Sequence, residues 1–175
     1  MRAALRPAAA ILALLPFIPS PAVAHDHRPP EVVLRHGDLE QRGRLVALRW
    51  TRPAGEEGCA STLIVKKPSY PGQGLPVRNG EFRARLRFIK PARPLSVKAE
   101  ARPEVGADGD LAGPAADVGL RLRPRRPGGD LAAWTALLHS RVQDHLYLRV
   151  TARWKDGDGC DDRQKATWTF HVSAV

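Results

Sequence analysis

The sequence predicts an all-β fold, and three observations point to it. Apolar and polar side chains alternate with a period of two residues along much of the chain, most clearly over residues 82–88. In an extended strand this alternation places the polar side chains on one face and the apolar side chains on the other. Glycine, proline and aspartate separate the alternating segments at short intervals, and a helical period occurs in one segment alone.

Alternation predicts about eight strands. They cover residues 32–35, 44–50, 61–66, 82–88, 95–100, 118–123, 146–154 and 165–172. One short helix is predicted near residues 130–138, where Asp130 is suited to cap a run in which Trp134 and Leu138 share a face. Because most strands are apolar on one face, we expect an Ig-like two-sheet antiparallel β-sandwich with long loops, and a closed barrel is the alternative.

Two stretches between these strands are expected to be irregular. Residues 68–80 contain turn signals, of which Asn79-Gly80 is typical of a hairpin. Residues 103–114 are small and acidic, and we expect a mobile loop there. The tryptophans mostly fall in the apolar phase of their segments, which predicts core packing for them: Trp50, Trp134, Trp154 and Trp168.

The first 24 residues have the order of a secretory signal peptide. Two arginines precede an apolar run at residues 8–17, and Ala22-Val23-Ala24 supplies the small residues of a cleavage site. The apolar run is too short to span a membrane, and no later run is long enough for a transmembrane span. We therefore expect a secreted, extracytoplasmic protein in which a flexible arm, residues 25–30, precedes a single β-sandwich domain, residues 31–175.

Export determines how the two cysteines are interpreted. In an oxidising compartment, Cys59 and Cys160 are expected to form a disulfide, and two buried thiols are the alternative. Each cysteine lies just past a segment that ends in Arg-Trp, at Trp50 and at Trp154. The predicted bridge therefore joins two loops at one pole of the sandwich, unlike the mid-strand bridge of antibody domains.

The predicted bridge would gather six carboxylates at that pole. They are Glu56, Glu57, Asp156, Asp158, Asp161 and Asp162. Like charges at close range repel each other, and Ca²⁺, which takes six to eight oxygen ligands in flexible geometry, would relieve the repulsion. The run lacks the distal glutamate of an EF-hand loop, and a solvated turn rich in aspartate and glycine is the alternative.

A second candidate metal site lies at the expected mature N-terminus. Cleavage after Ala24 would leave His25 with a free amine and His27 two residues later, a pattern that suits square-planar Cu(II) or Ni(II). In its N-terminal histidine and its general architecture, the chain resembles the CopC-type copper carriers and the lytic polysaccharide monooxygenases, whose flanking motifs it lacks. That resemblance implies a copper brace completed by another histidine. The alternative is a disordered arm.

The third candidate site is a basic sheet face. It comprises Arg83, Arg85, Arg87, Arg121 and Arg123. The formal charge of the whole chain is +10, and a basic face is suited to an anionic polymer of the cell envelope. Nucleic acid is a less suitable ligand, since no aromatic residues interleave with the arginines to stack bases. The alternative is that these charges serve only solubility and protect sheet edges.

The sequence contains no nucleophile elbow, no zinc-binding helix motif, no glycine-rich phosphate loop and no Cys-x-x-Cys motif. We therefore expect a non-catalytic binding or adhesion module whose ligand is unknown, with calcium as a candidate ion. The alternatives are a copper-handling protein that uses His25 and His27, and a basic module that binds anionic polymer. The remaining histidines lack metal-ligand spacing, and His171 is expected to be a solvated strand residue.

Overall fold

In the computed structural model, the described residues are 31–54, 58–89, 94–123, 133–154 and 164–175, and they form strands, turns and loops with no helix. The strands are β1 (Glu31–His36), β2 (Leu39–Arg42), β3 (Arg44–Ala54), β4 (Gly58–Val65), β5 (Leu75–Val77), β6 (Gly80–Ile89), β7 (Ser96–Arg102), β8 (Glu104–Val105), β9 (Leu111–Ala112), β10 (Gly119–Arg123), β11 (Ala133–Val142), β12 (His145–Trp154) and β13 (Gln164–Ala174).

The strands form two main sheets. Sheet A has the order β10-β11-β6-β1-β2, and sheet B has the order β4-β3-β13-β12-β7, with β5 added parallel to the end of β13. All other pairings are antiparallel. The two sheets pack as a sandwich, which confirms the predicted all-β fold class.

The core lies between the inner faces of the two sheets. Phe88 of sheet A lies 6.2 Å from the ring centres of both Trp154 and Trp168 of sheet B, with the rings edge to face. Trp50 joins the cluster through Trp154, at 5.7 Å. These three tryptophans are buried, and Trp134 packs against the core from its edge, so the predicted core role of the tryptophans is confirmed.

The chain passes from sheet A to sheet B at Gly43. A Cβ atom at this position would lie 2.6 Å from the ring of Phe170 and 3.0 Å from Trp168. The amide of Gly43 also donates to the carbonyl of Val32 at 2.8 Å. Only glycine leaves room for the backbone to cross so close to the aromatic core.

The predicted helix at residues 130–138 is wrong over its described part, because Ala133–Val142 is strand β11. Trp134, Ala136 and Leu138 point inward in strand phase. Leu137 lies on the opposite face and is half-buried, so both faces of the strand carry apolar residues. This two-sided composition hides the period of two that identifies a strand.

The hairpin predicted at Asn79-Gly80 is also wrong. The strands before and after it, β5 and β6, belong to different sheets, so the turn is a crossover, with Gly80 at φ +110°. A tight hairpin occurs instead at Gly37-Asp38, which joins β1 to β2 with Gly37 at φ +59°. A positive φ is the reason for glycine at both turns.

Residues 103–114 do not form the irregular loop that the sequence predicts. They contain the antiparallel ribbon β8-β9, closed by a hydrogen bond from Gly106 N to Asp110 O at 2.8 Å. The ribbon packs against residues 66–68, since Lys67 Nζ donates to Ala107 O at 2.9 Å. A Cβ on Gly109 would lie 2.2 Å from the carbonyl oxygen of Pro68, so glycine is required at this contact.

Candidate functional site

The outer face of sheet A carries the predicted arginines. In β6 the residues Phe82, Ala84, Leu86 and Phe88 point into the core, so the arginines between them point outward. In β10 the same alternation turns Arg121 and Arg123 outward. The structure therefore places all five predicted arginines on one face of one sheet, which we call the arginine face. They are Arg83, Arg85, Arg87, Arg121 and Arg123.

Strand register brings the two groups of arginines side by side. β11 lies between them, and its Leu137 pairs with Arg121 on one side and with Arg85 on the other. Arg85 pairs in turn with Arg35 of β1. These four residues form one row across the sheet. With neighbouring strands about 4.8 Å apart, the backbones of Arg121 and Arg85 are separated by about 10 Å.

This face encloses a basin of about 790 Å³. Its lining includes Arg35, Arg83, Arg85, Arg121, Arg123 and His139. Leu137, which contributes an apolar side chain, and Gly37 also line the basin. The sequence did not predict that Arg35 and His139 belong to this site, because alternation along a strand does not show which strands are its neighbours in the sheet.

The positive charge of the basin is only partly balanced. Glu40 lies 3.6 Å from Arg35, and Glu81 lies 3.6 Å from His139. Within the described ranges, no carboxylate lies within 4.0 Å of the four basin arginines of β6 and β10. These four are exposed: Arg83, Arg85, Arg121 and Arg123. Clustered cations with few counter-charges create a potential that attracts anions.

The outer face of sheet B is built differently, because the segment 66–74 lies across it. Thr169, which is fully buried, donates from Oγ1 to the carbonyl of Ser69 at 2.5 Å. Nδ1 of His171 lies 3.0 Å from the carbonyl oxygen of Pro71. We call the part of this surface beneath the strap the covered face, and it includes Thr169, His171 and Tyr147. Arg153 and Lys165, farther along the same outer face, stay exposed.

His171 is therefore not the solvated strand residue that the sequence predicts. It is 6% exposed, and its ring stacks on Tyr147 with centroids 4.5 Å apart and planes 12° apart. Its Nε2 lies 3.1 Å from Nδ1 of His145. Burial lowers the pKa of His171, an effect that the bond to Pro71 opposes and the charge of His145 reinforces.

A partly buried ion pair lies beside the strap. Arg149, with a side chain 26% exposed, forms an ion pair with Asp110 at 2.5 Å. Tyr70 from the strap lies edge to face on Tyr147 at 5.3 Å. The Tyr70 hydroxyl is buried, and within the described residues it has no hydrogen-bond partner. Burial raises the pKa of Tyr70, and the positive charge of Arg149 partly opposes this.

The other predicted sites fall outside the described residues. This applies to both N-terminal histidines, all six carboxylates of the acidic pole, and one cysteine: His25, His27, Glu56, Glu57, Asp156, Asp158, Asp161, Asp162 and Cys160. Cys59 is exposed on β4, and the described part of the chain contains no free cysteine. No group of three or more metal-ligating side chains occurs in the ranges that are described.

Comparison with known proteins yields no relative: no family model matches the chain, and neither a curated protein nor a solved structure matches it. Among the described residues there is also no helix with the length and apolar character needed to cross a bilayer. Any function assigned to this protein therefore rests on the geometry of its surfaces.

Proposed function

We propose that this protein is a secreted, non-catalytic binding module that holds an anionic polymer of the cell envelope on its arginine face. One observation carries this proposal. Arginines from β6 and from β10, separated by more than thirty residues in the sequence, face the same basin of about 790 Å³. Arginine suits such a site because its planar guanidinium can bind phosphate, sulfate or carboxylate with two hydrogen bonds.

The spacing of the arginines suits a linear ligand. Alternate residues of a strand are about 6.7 Å apart, so β6 and β10 present two parallel tracks of regularly spaced cations. The β11 residues Thr135, Leu137 and His139 lie between these tracks. A polyanion lying along β11 would meet arginines on both sides, and release of its counterions would favour binding.

The charge distribution of the basin and the residue types in its lining limit the class of ligand that it can bind. Glu40 and Glu81 each lie close to a basic residue of the basin, so the positive charge that has no nearby carboxylate among the described residues lies on β6 and β10. Among the described residues of the lining there is no tryptophan, tyrosine or phenylalanine. Stacking of bases is therefore not supported, whereas ionic contact with phosphate or carboxylate groups is.

Export and the predicted Cys59–Cys160 bridge belong to the same proposal. The end of β3 and the start of β13 lie at one pole of sheet B, where Gln164 Nε2 donates to Thr51 O at 2.9 Å. Trp154, the last residue of β12, pairs with Gln164 at the same pole. The sequence placed Cys59 in a loop, whereas the structure places it near the start of β4, paired with Pro53. The shared pole supports a bridge between Cys59 on β4 and the segment that joins β12 to β13.

The bridge and the export step are tested by mass spectrometry of native protein. The expected result is a chain that begins at His25 and does not react with a thiol-alkylating reagent until it is reduced. A retained leader, or two thiols that react without reduction, would remove both inferences. The predicted calcium and copper sites stay predictions, and calorimetry of the same material with each ion tests them.

The arginine face is tested by binding to immobilised glycerol-phosphate teichoic acid over a range of salt concentrations. The double variant Arg85→Gln/Arg121→Gln removes one cation from each track. If each arginine contacts one phosphate, the affinity of this variant should depend less steeply on salt concentration than that of the parent. We expect an affinity at least about tenfold lower at 0.15 M salt, the result of losing more than about 1.4 kcal/mol.

The matched control is Arg153→Gln/Lys165→Gln. These two residues are exposed and pair with each other on the outer face of sheet B, so the net charge changes by the same amount on the other side of the molecule. The control should bind like the parent. Equal weakening of both variants would mean that binding follows total charge, and the arginine face would then lose its role.

A further inference from the structure

Two histidines meet on the covered face although they are 26 residues apart in the sequence. His145 begins β12 and His171 lies near the end of β13, in diagonal positions of the antiparallel pair. Their facing nitrogens, Nδ1 of His145 and Nε2 of His171, are 3.1 Å apart. His145 is exposed, so the pair lies at the surface end of an otherwise buried group.

The His171 ring is held on three sides. Its Nδ1 lies 3.0 Å from the carbonyl oxygen of Pro71, to which it donates, and this leaves the lone pair of Nε2 directed at His145. Tyr147 stacks on one face of the ring. The backbone amide of His171 donates to Oε1 of Gln41 at 2.9 Å. The ring is thus oriented by the fold and not by its partner histidine alone.

This arrangement is typical of a metal-binding imidazole. A histidine that ligates a metal through one nitrogen commonly donates the other N–H to a backbone carbonyl, which sets the tautomer and the ring orientation. Nitrogen ligands lie about 2.0 to 2.1 Å from such a metal, so two neighbouring ligands are separated by about 3 Å. The separation of 3.1 Å between the His145 and His171 nitrogens fits this geometry.

We propose that His145 Nδ1 and His171 Nε2 bind a divalent transition metal ion, with the remaining positions open to water. Imidazole ligands suit Cu²⁺, Ni²⁺ and Zn²⁺, and Cu²⁺ binds most tightly in the general order of affinities. In the described part of the chain, no third histidine, cysteine or carboxylate completes the group. The ion is therefore held at an accessible two-ligand site, distinct from the predicted N-terminal site.

Binding requires a change of tautomer at one residue. Without metal, His145 Nδ1–H donates to the Nε2 lone pair of His171. With metal, the His145 proton moves to its own Nε2, and both Nδ1 of His145 and Nε2 of His171 present lone pairs to the ion. The proton stays on His145, so this tautomer exchange itself releases no proton.

The test is calorimetry with CuCl₂ and ZnCl₂ in a buffer that does not chelate metals. The protein is the processed chain that carries His25→Ala and His27→Ala, which removes the predicted N-terminal imidazoles. We expect one equivalent of Cu²⁺ to bind more tightly than Zn²⁺, with an electron paramagnetic resonance signal split by two nitrogens. His145→Gln should weaken the binding at least about tenfold, and because this side chain is exposed, the variant should fold normally.

The matched control is His139→Gln, which removes a half-exposed histidine on the arginine face and should leave metal binding unchanged. His171→Gln should also abolish the signal, with thermal unfolding used to confirm that it folds. Equal Cu²⁺ affinity in the parent and in His145→Gln would overturn the site and leave only a histidine–histidine hydrogen bond. Teichoic acid binding should be the same in all these variants except His139→Gln, so this result is independent of the arginine face.

Discussion

The outer faces of the two sheets have the same alternating sequence pattern, but the face of sheet A is open whereas a strap crosses the face of sheet B. On sheet A, Arg85 and Arg121 are exposed and line an open basin. On sheet B, Arg149 occupies an equivalent outward position but is 26% exposed and paired with Asp110. The difference lies in the strap 66–74, which crosses sheet B and has no counterpart on sheet A among the described segments. Outward alternation alone therefore does not distinguish a binding surface from a second layer of packing.

The covered face shows what a strap requires of the residues beneath it. Its hydrogen bonds join side chains of β13 to strap carbonyls, as in Thr169 with Ser69 and His171 with Pro71. Polar residues on this face satisfy the backbone of a segment that has no sheet partner of its own over 66–74. On the arginine face, no described segment crosses the strands in this way, and the basin arginines of β6 and β10 stay exposed to a ligand.

The largest expected loss of stability comes from a substitution in the core between the two sheets. Trp154→Ala removes a fully buried ring that contacts Phe88 and Trp168. We expect the free energy of unfolding to fall by about 3 to 5 kcal/mol, because a cavity replaces the indole. Denaturant unfolding measures it. Leu63→Ala, at a position 71% exposed, is the control and should change stability by less than about 0.5 kcal/mol.

A smaller difference should separate the arginines of the two faces. Arg149→Gln removes a partly buried cation from Asp110, and we expect stability to fall by about 1 to 2 kcal/mol, since the pair retains some exposure. Arg85→Gln removes an exposed cation from a cluster of like charges and should change stability by less than about 0.5 kcal/mol. Equal losses of stability in both variants would contradict the distinction between a partly buried Arg149 and an exposed Arg85.

A local effect should follow from releasing the strap. Thr169→Val removes the bond to Ser69 and should cost about 1 kcal/mol, with faster amide exchange in peptides that cover residues 66–74. Thr167→Val is the matched control. Thr167 lies two residues earlier on the same face, and its Oγ1 lies 3.0 Å from Oγ1 of Thr151 on the neighbouring strand, not from a strap carbonyl as in Thr169. Similar exchange in both variants would contradict the role of Thr169.

The smallest effect at neutral pH should come from Tyr70→Phe. Because burial raises the pKa of Tyr70, the folded protein holds that proton more tightly than the unfolded chain. In the parent protein, the stability contributed by the raised pKa of Tyr70 should therefore be complete near pH 7. It should be lost as the pH rises above about 10, the ordinary tyrosine pKa. Absorbance at alkaline pH should show one late-titrating tyrosine that disappears in Tyr70→Phe. A late step that persists in the variant would contradict the assignment of the raised pKa to Tyr70.

Where one face of a strand was buried and the other exposed, the sequence predicted the strand well. The segments at residues 82–88 and 146–154 lie within β6 and β12. β11 was predicted as a helix because Leu137, on its outer face, interrupts the polar phase. Its neighbours β6 and β10, rather than its own composition, hold it in the sheet.

The candidate sites were likewise predicted in part from the sequence and in part not. The sequence predicted that Arg83, Arg85 and Arg87 share one face, since strand geometry requires it. It also grouped Arg121 and Arg123 with them, and the structure places both on the same sheet. It did not show that Arg35 and His139 line the same basin. It also assigned His171 to solvent, because the segment that buries this residue lies 100 positions earlier.

By itself, the amino-acid sequence determined that the chain is all-β, which side chains of most strands share a face, and that tryptophans fill the core. Only the tertiary structure decided which strands are neighbours, which outer face is covered by the strap, and where His145 meets His171. The physical reason is range. Alternation is a property of residues two apart, whereas pairing and coverage depend on contacts between segments that the sequence separates widely.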